Sequence, residues 1–394
     1  TNFEDGSHDE RNDNPIWSEQ IGKAGNHYIN QSCANCHVRN GRALVEDVGN
    51  NLTKWVFKVG DVDGNPDPLI GSVLQPNQTG SASPEGTVML NPWTELSNGL
   101  RSPNYVFSNG EPARFSARIA PQLVGVGLLE AIDESTILAW AEQDNVDHNG
   151  NGITGRASLV SDPETGKVRL GRFGYKAATA SVRHQVASAL NTDIGVMTSA
   201  LPDPDCGREQ TGCGESGAEL ADEQLNDLVK YMSLLGVGAR RDYENTSGDT
   251  IFSDIGCGNC HRESMTTSDY HPLTELRSQT IYPYTDLLLH DMGPGLADNL
   301  GQGIATGAEW RTAALWGLGH SRAVMLGDAK ANDEISKAQD SSDVDRIGYL
   351  HDGRARTLDE AIRWHGGEGE SSKLAFEALS ETDKTTLLDF LKSL

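Results

Sequence analysis

Residues 30–43 read NQSCANCHVRNGRA, which places two cysteines three positions apart and a histidine directly after the second. The same pattern returns at residues 255–264, which read IGCGNCHRES. Covalent haem attachment requires this CxxCH spacing, because two thiols add across the two vinyl groups of the porphyrin and the adjacent imidazole reaches the iron. The two copies therefore predict two covalently bound c-type haems.

Zinc is the alternative for paired cysteines. A structural zinc site needs four ligands closed around the ion, and neither CxxC pair has a second Cys or His pair at the usual short spacing. If both copies shared a single zinc site, the histidine that follows each cysteine pair would have no role there, and its presence in both copies would be a coincidence. The motifs therefore assign two thioether cysteines and one proximal iron ligand to each haem: Cys33, Cys36 and His37 in the first copy, and Cys257, Cys260 and His261 in the second.

Length and composition favour two domains with one haem each. The chain has 394 residues, of which 37% are hydrophobic, and 43 are glycine. So few apolar side chains make a thin core, to which two haems would add apolar surface. We expect a mainly α fold with two cytochrome c-like haem domains, residues 1–238 and 239–394, and a long loop-rich insertion at roughly residues 40–200 of the first.

An amphipathic helix is predicted at the end of each domain. Residues 222–236 and residues 380–394 both carry apolar side chains at helical spacing. Ser380, with Asp383 three residues on, predicts the N-cap of the second helix.

Charge and cysteine usage limit the partners and the compartment. The net charge of −25 argues against binding to a nucleic acid backbone, and no apolar run is long enough to predict a membrane span. Cys206 and Cys213 flank a short polar loop and predict a disulfide, which needs an oxidising compartment; the alternative is a reduced pair or a minor metal site. Haem attachment to CxxCH takes place outside the bacterial cytoplasm. We therefore expect a periplasmic protein whose signal peptide is absent from this chain.

A second cofactor signal lies at residues 147–158, DHNGNGITGRAS, which resemble a calcium loop. Oxygen ligands at alternating positions suit a hard cation, but Ser158 stands where such a loop closes with a bidentate Glu. The alternative is an Asx-turn loop that binds nothing. The candidate calcium ligands are Asp147, Asn149, Asn151 and the carbonyl of Ile153.

Four further segments resemble the bacterial di-haem oxidoreductases labelled peroxidases or thiol oxidoreductases. That family is distantly similar to the di-haem cytochrome c peroxidases and to the di-haem enzyme that matures methylamine dehydrogenase. The segments are RIAPQLVGVGLLEAI at 118–132, YPYTDLLLHDMGPGLADNL at 282–300, EWRTAALWGLG at 309–319 and HDGRARTLDEAIRWHGGEGE at 351–370.

The resemblance implies a distal ligand for the second haem. In the peroxidases a methionine follows the HDG and TLEEAV segments and binds the iron of the electron-entry haem, and here His365 stands in that place. A haem with two imidazole ligands has a lower potential than one with His and Met. The alternative for His365 is a solvent-facing residue after a helix.

Two other histidines lie in the same segments. The resemblance implies a haem-edge or interdomain role for His351, with a structural turn as the alternative. His290 is either a site residue or a hydrogen-bonded core histidine, and Met292 beside it is an outside candidate for an iron ligand.

The first haem is expected to carry the chemistry. Residues 173–195 resemble the peroxidase segment that ends in a proton-handling acid, which places Asp193 near that position. A carboxylate beside an open haem can take and return a peroxide proton. The alternative for Asp193 is a helix-end or surface residue. Met89 and Met197 are either sixth ligands or core filler, and Trp310, Trp316 and Trp364 are either electron relays or packing residues.

These patterns predict a periplasmic di-haem oxidoreductase with one relay haem and one substrate haem, in which peroxide is the small-molecule substrate and a small redox protein is the electron partner. Two alternatives stay open: a pure electron carrier with both irons six-coordinate, and oxidation of a thiol or of a protein side chain.

Overall fold

The fold was analysed in a computed structural model that describes residues 22, 24–80, 82–141, 146–147, 150–241, 246–326 and 346–394. Helix accounts for 30% and strand for 17% of the structure. The helices are α1 Cys33–Cys36, α2 Val126–Glu130, α3 Glu134–Leu138, α4 Val182–Ala189, α5 Asp222–Ser233, α6 Thr246–Asp254, α7 Gly293–Leu296, α8 Ser321–Leu326, α9 Leu358–Arg363, α10 Glu370–Ala378 and α11 Glu381–Ser393.

The strands are short and belong to seven small antiparallel sheets in the described part of the chain. They are β1 His27–Tyr28, β2 Trp55–Gly60, β3 Val73–Leu74, β4 Asn77–Gln78, β5 Val88–Leu90, β6 Thr94–Glu95, β7 Arg101–Ser102, β8 Tyr105–Phe107, β9 Arg114–Ile119, β10 Ser158–Ser161, β11 Val168–Gly171, β12 Met265–Thr266, β13 Thr280–Ile281, β14 Leu289–Asp291 and β15 Glu309–Arg311. The pairs are β1–β4, β5–β8, β6–β7, β10–β11, β12–β13 and β14–β15, and the sheet β3–β2–β9 has three strands.

The expected mainly α fold with two cytochrome c-like domains is therefore wrong. The protein is a mixture of helices and small sheets, and its described residues form no clear cytochrome c domain. The error lies chiefly in the predicted insertion, which contains the ten strands β2 to β11. Strands of two to six residues contain too few alternations to give a clear period-two pattern.

Two compact units divide the structure, each assembled from three separate stretches of the chain. One contains the described residues within 1–122, 183–229 and 345–354, and includes the first CxxCH motif. The other contains those within 123–182, 230–344 and 355–394, and includes the second motif.

The first unit is built around the sheet β3–β2–β9. Trp55, Phe57 and Val59 alternate along β2 and are buried, because successive side chains of a strand point to opposite faces. Tyr105 of β8 packs edge-on against Phe57 with ring centroids 5.1 Å apart. A second apolar cluster in this unit joins the end of α4 to α5 through residues such as Leu225.

The second unit has a helical core. Phe252 of α6, Phe390 of α11 and Tyr284 meet there, with ring centroids 5.5–5.9 Å apart. The predicted N-cap of α11 is confirmed, since the Asp383 backbone N–H donates to the Ser380 hydroxyl at 3.2 Å. The helix predicted from residue 222 is confirmed as α5.

The disulfide predicted between Cys206 and Cys213 is present. Within the described residues, no helix has the length and apolar character needed to cross a bilayer.

Candidate functional site

The first CxxCH motif forms a single helical turn, α1, closed by a bond from the His37 backbone N–H to the Cys33 carbonyl at 2.8 Å. Its two cysteines face different clusters of the first unit. Cys33 packs against the cluster at the end of α4, and Cys36 packs against the cluster around Trp55. The motif therefore lies where both apolar clusters of the unit can contact a flat apolar group.

A hydrogen bond to the backbone orients the ring of the histidine in this motif. The Nδ1–H of His37 donates to the Pro121 carbonyl at 2.7 Å. Burial lowers the pKa of His37, although hydrogen bonds to the backbone of Pro121 and Gly41 oppose the shift. The ring is therefore neutral, and its tautomer leaves the lone pair on Nε2, as haem and metal ligation require.

The second motif repeats this arrangement on a 3-10 turn, Cys257–Asn259, which follows α6. The His261 backbone N–H bonds to the Cys257 carbonyl at 2.9 Å, and its ring Nδ1–H donates to the Tyr284 carbonyl at 2.9 Å. Burial lowers the pKa of His261 to about 4. Both proximal histidines therefore present a neutral Nε2.

A second imidazole lies close to His261. His365 follows α9, whose N-cap Thr357 accepts the Glu360 backbone N–H at 3.1 Å, and its Nδ1–H donates to the Ala361 carbonyl at 2.8 Å. Burial lowers the pKa of His365. A charge on His365 would also lower the pKa of His261, so the two rings lie within electrostatic range of each other. His365 therefore has the same tautomer as the two proximal histidines.

The cysteines suit thioether bonds better than zinc. Burial raises the pKa of Cys36 and that of Cys257 to about 12, and it also raises the pKa of Cys33. Zinc binds the thiolate, which these surroundings disfavour. Across the described residues, one group of three metal-type ligands converges, Cys260 with Asp286 and His290, and it leaves out Cys257 and His261. The donor set therefore fits haem attachment.

Asp193 lies near the first motif, in a π-helical turn, Leu190–Ile194, that ends α4. Such turns widen the helix and are frequent at functional sites. Burial raises the pKa of Asp193, while a hydrogen bond from the Thr192 hydroxyl at 2.8 Å and the charge of Lys58 oppose the rise. Its carboxylate also raises the pKa of Cys33 and of Cys36, so it lies within electrostatic range of both cysteines.

Lys58 belongs to this site and was not among the predicted residues. It lies on β2 with Val56, on the face opposite the buried Phe57 and Val59. Burial, followed by the charge of Arg118, lowers its pKa, and nearby carboxylates including Asp193 oppose the shift. The alternation in WVFKVG could have placed Lys58 on the second face, but nothing local indicates that Asp193 faces it.

His351 joins the first unit, although it lies more than three hundred residues after the first motif. Its carbonyl accepts the Ile119 backbone N–H at 2.7 Å, and its Nε2 lies 3.7 Å from Asp352. Asp352 in turn pairs with Arg354 at 2.7 Å, and all three side chains are buried. The HDG turn therefore ties the end of β9 to a buried ion pair.

His290 in β14 is 2% exposed and is held by two carboxylates. Its Nδ1 lies 2.6 Å from Glu368 and its Nε2 lies 2.9 Å from Asp286. Burial opposes the charged ring, but hydrogen bonds to Asp286, Cys260 and Glu368 together raise the pKa of His290 well above its usual range. Both nitrogens donate, so His290 has no lone pair for a metal or for a substrate proton.

The candidate methionines lie in different surroundings. Met197 is buried in the first unit, and Met89 is partly buried in β5. Met292 lies beside His365, because a Cβ added to Gly369 would be 3.3 Å from the Met292 Cε and 3.1 Å from the His365 Cβ.

The candidate tryptophans are all buried in the second unit. The indole N–H of Trp310 donates to the Leu296 carbonyl at 3.1 Å, and the Lys176 ammonium lies 3.7 Å from the ring centroid. Trp316 packs closely against Gly125. Trp364 directly precedes His365.

The predicted calcium loop is described only in part, since Asn149 lies outside the described residues. The Asp147 carboxylate accepts the backbone N–H groups of Gly150 at 2.6 Å and Gly152 at 2.7 Å, and the Asn151 side chain accepts that of Ile153 at 2.9 Å. The bond from Ile153 to Asn151 forms an Asx turn. Calcium binding stays a prediction.

Comparison with known proteins identifies a family whose model matches this chain. The family model described as "Di-haem oxidoreductase, putative peroxidase" matches residues 97–394. No curated protein matches the chain. A solved structure of Kuenenia stuttgartiensis hydrazine synthase is similar over 71% of this chain and 73% of that chain, at 14% identity and a TM-score of 0.37.

Proposed function

The chain belongs to the di-haem oxidoreductase family, and on this premise we propose that it is a periplasmic peroxidase in which the second haem relays electrons and the first reduces peroxide. The reaction consumes two electrons and two protons and converts one hydrogen peroxide to two waters. A small redox protein supplies the electrons at the second haem.

The observation that carries the proposal is the unequal surroundings of the two motifs. His261 has a second neutral imidazole, His365, close to it. The first motif instead has a carboxyl group, Asp193, beside its cysteines. Two imidazoles saturate an iron and favour electron relay, whereas an acid beside an open iron favours peroxide chemistry.

When bound, haem supplies one-electron transfer and, at an iron with an open position, a binding site for peroxide. Asp193 would take the proton from the peroxide oxygen that binds and return it to the oxygen that leaves. Its raised pKa brings the carboxyl group closer to working pH, which favours transfer in both directions. Lys58, next to it, would stabilise the carboxylate during the interval in which it is charged.

Charge and disulfide support the partner and the compartment. The net charge of −25 favours a basic electron donor, since opposite charges accelerate encounter at low salt. The disulfide Cys206–Cys213 and the two attachment motifs favour an oxidising compartment.

The test is turnover of hydrogen peroxide by the holoprotein, reduced beforehand with a chemical donor, in stopped-flow spectrophotometry. We expect both haems to be reoxidised by one equivalent of peroxide, at a rate far above that of the haem peptides released from the same protein by proteolysis. A rate equal to that of the peptides would remove the peroxidase assignment.

Electron paramagnetic resonance of the ferric protein separates relay from reaction centre. We expect one low-spin signal from the second haem and a high-spin or water-ligated signal from the first. Two fully low-spin haems that exclude added ligands would instead identify a pure electron carrier.

A further inference from the structure

The side chain of Glu368, in the segment that carries His365, accepts several hydrogen bonds. One carboxylate oxygen accepts the Thr154 backbone N–H at 3.0 Å and faces the His290 Nδ1 at 2.6 Å. The other accepts the Thr154 hydroxyl at 2.9 Å and the Asp291 backbone N–H at 3.3 Å. Four donors from two separate chain segments therefore converge on one carboxylate, three residues after the predicted distal ligand.

His290 continues the network to Asp286, which is 1% exposed. The Asp286 carboxylate accepts the His290 Nε2–H at 2.9 Å and the Leu288 backbone N–H at 3.0 Å. Burial opposes the charged carboxylates, but the bonds from His290 hold the pKa of Asp286 and of Glu368 below their usual ranges. The cluster is thus two carboxylates bridged by one imidazolium, and every carboxylate oxygen has a donor.

Charges removed from water are costly unless each is paired and hydrogen-bonded, and a cluster satisfied in this way is stiff. It lies at the second motif, because the Cys260 Sγ is 3.7 Å from the His290 Nδ1. Strand β14, through His290, therefore contacts both Glu368 and the thioether cysteine Cys260.

The backbone around His365 leaves little room for another arrangement. Gly367 has a φ of +52°, and a Cβ added there would lie 2.2 Å from the Asp291 carbonyl oxygen. Gly155, next to Thr154, is equally close-packed, since its added Cβ would lie 2.5 Å from the His290 Cε1. The turn after His365 therefore packs on β14 at contact distance.

We propose that Asp286, His290 and Glu368 are positioning residues that hold His365 on the iron of the second haem, with Glu368 as the anchor of the turn that follows His365. The inference rests on the proposed function, in which His365 is that ligand. In this inference His290 has a supporting role at the relay haem, since both of its ring nitrogens donate hydrogen bonds to the carboxylates.

The experiment counts carbon monoxide molecules bound per reduced holoprotein chain. Ferrous iron binds carbon monoxide only where an axial position opens, so the wild type should bind one, at the first haem. In Glu368→Ala the anchor is lost, and we expect a second carbon monoxide at the second haem. Loss of one hydrogen bond to a charged group shifts such an equilibrium by roughly 10- to 100-fold, so the loss of all four in Glu368→Ala should raise the affinity at that haem by at least this factor.

Glu370→Gln is the matched control. Glu370 lies two residues further along, on the exposed side, where it pairs with Lys373 at 2.7 Å and keeps 46% of its side chain exposed. This variant should bind one carbon monoxide and keep the wild-type low-spin signal. Thr154→Val removes one donor to Glu368 and should shift the affinity in the same direction by a smaller factor.

A Glu368→Ala protein with both haems attached that still binds a single carbon monoxide overturns the inference. If that variant does not fold, Glu368→Gln and His290→Gln decide by the same count, because each breaks the imidazolium–carboxylate bond with little change in volume. A wild type that binds two molecules removes the proposed relay haem instead, and the inference with it.

Discussion

The two attachment motifs of this protein use the same residues in different surroundings. In both, the proximal histidine closes a short turn and donates its Nδ1–H to a backbone carbonyl, at 2.7 Å in the first and 2.9 Å in the second. Around the first motif lie an acid and a lysine, whereas the second has another imidazole and a buried charge cluster. The histidine after each CxxC pair is therefore held alike in both, and the proposed difference in chemistry rests on residues outside the motif.

The largest expected effect comes from Asp193→Asn, which removes the carboxylate of the first site. Since general acid–base groups contribute about 10²- to 10⁴-fold, peroxide turnover should fall by that factor while both haems stay attached. Steady-state kinetics with haem quantification measures this. Glu46→Gln is the control: Glu46 is another carboxylate near Cys36, but its oxygens accept hydrogen bonds from Thr53 and Lys54. Equal losses in both variants would refute a specific role for Asp193.

His365→Met tests the second site. Exchanging an imidazole for a thioether should raise the potential of the second haem, by on the order of 0.1 V within the range of about 0.8 V that axial ligands span. A spectroelectrochemical titration resolves the two haems, and the first should not move. His271→Gln is the control, because His271 is a buried histidine of the same unit, 3.3 Å from Glu130. An unchanged second potential in His365→Met would exclude His365 as a ligand.

The two motifs should also differ in the pH dependence of their reactions, an effect smaller than the two above. The proposed cycle starts with the Asp193 carboxylate, and a raised pKa means that this form is lost on acidification at a higher pH than for an exposed aspartate. Peroxide kcat/KM should therefore fall as pH drops through that raised pKa, while reduction of the second haem by the donor stays flat. Asp193→Asn should abolish this acidic limb. A limb that survives in the variant belongs to another group.

The smallest effect compares two helix caps. Thr357→Ala and Ser380→Ala each remove a hydroxyl that accepts a backbone N–H, so each should cost about 1 kcal/mol of unfolding free energy. Thermal unfolding measures this cost. Only Thr357 caps the helix that precedes His365, so only Thr357→Ala should weaken the low-spin signal of the second haem. A similar spectral change in Ser380→Ala would show that general destabilisation of the protein, and not loss of the cap before His365, causes the change.

Local patterns predicted part of the fold. The helix α5, the helix α11 and the cap at Ser380 were predictable, because each depends on a few consecutive residues with a regular apolar spacing. The sheets were missed, since short strands are stabilised by partners far along the chain. Lys58 and Arg118 illustrate this: they lie on strands paired in register across about sixty residues.

The candidate site likewise contains some residues that the sequence indicated and others that only the structure shows. A pattern in the sequence marked His365, His290 and Asp193, but only the folded chain shows Glu368 as the partner of His290 and Lys58 as a neighbour of Asp193. Glu368 sits in a run of glycines and acids that, in sequence, resembles an ordinary solvent-exposed turn.

The sequence by itself indicated the family and predicted haem attachment, because CxxCH confines two thiols and an imidazole to five consecutive residues, whatever surrounds them. Only the tertiary structure decided what each imidazole faces. The acid, the lysine, the second imidazole and the charge cluster come from residues scattered along the chain, and local sequence patterns do not show which of them meet when the chain folds.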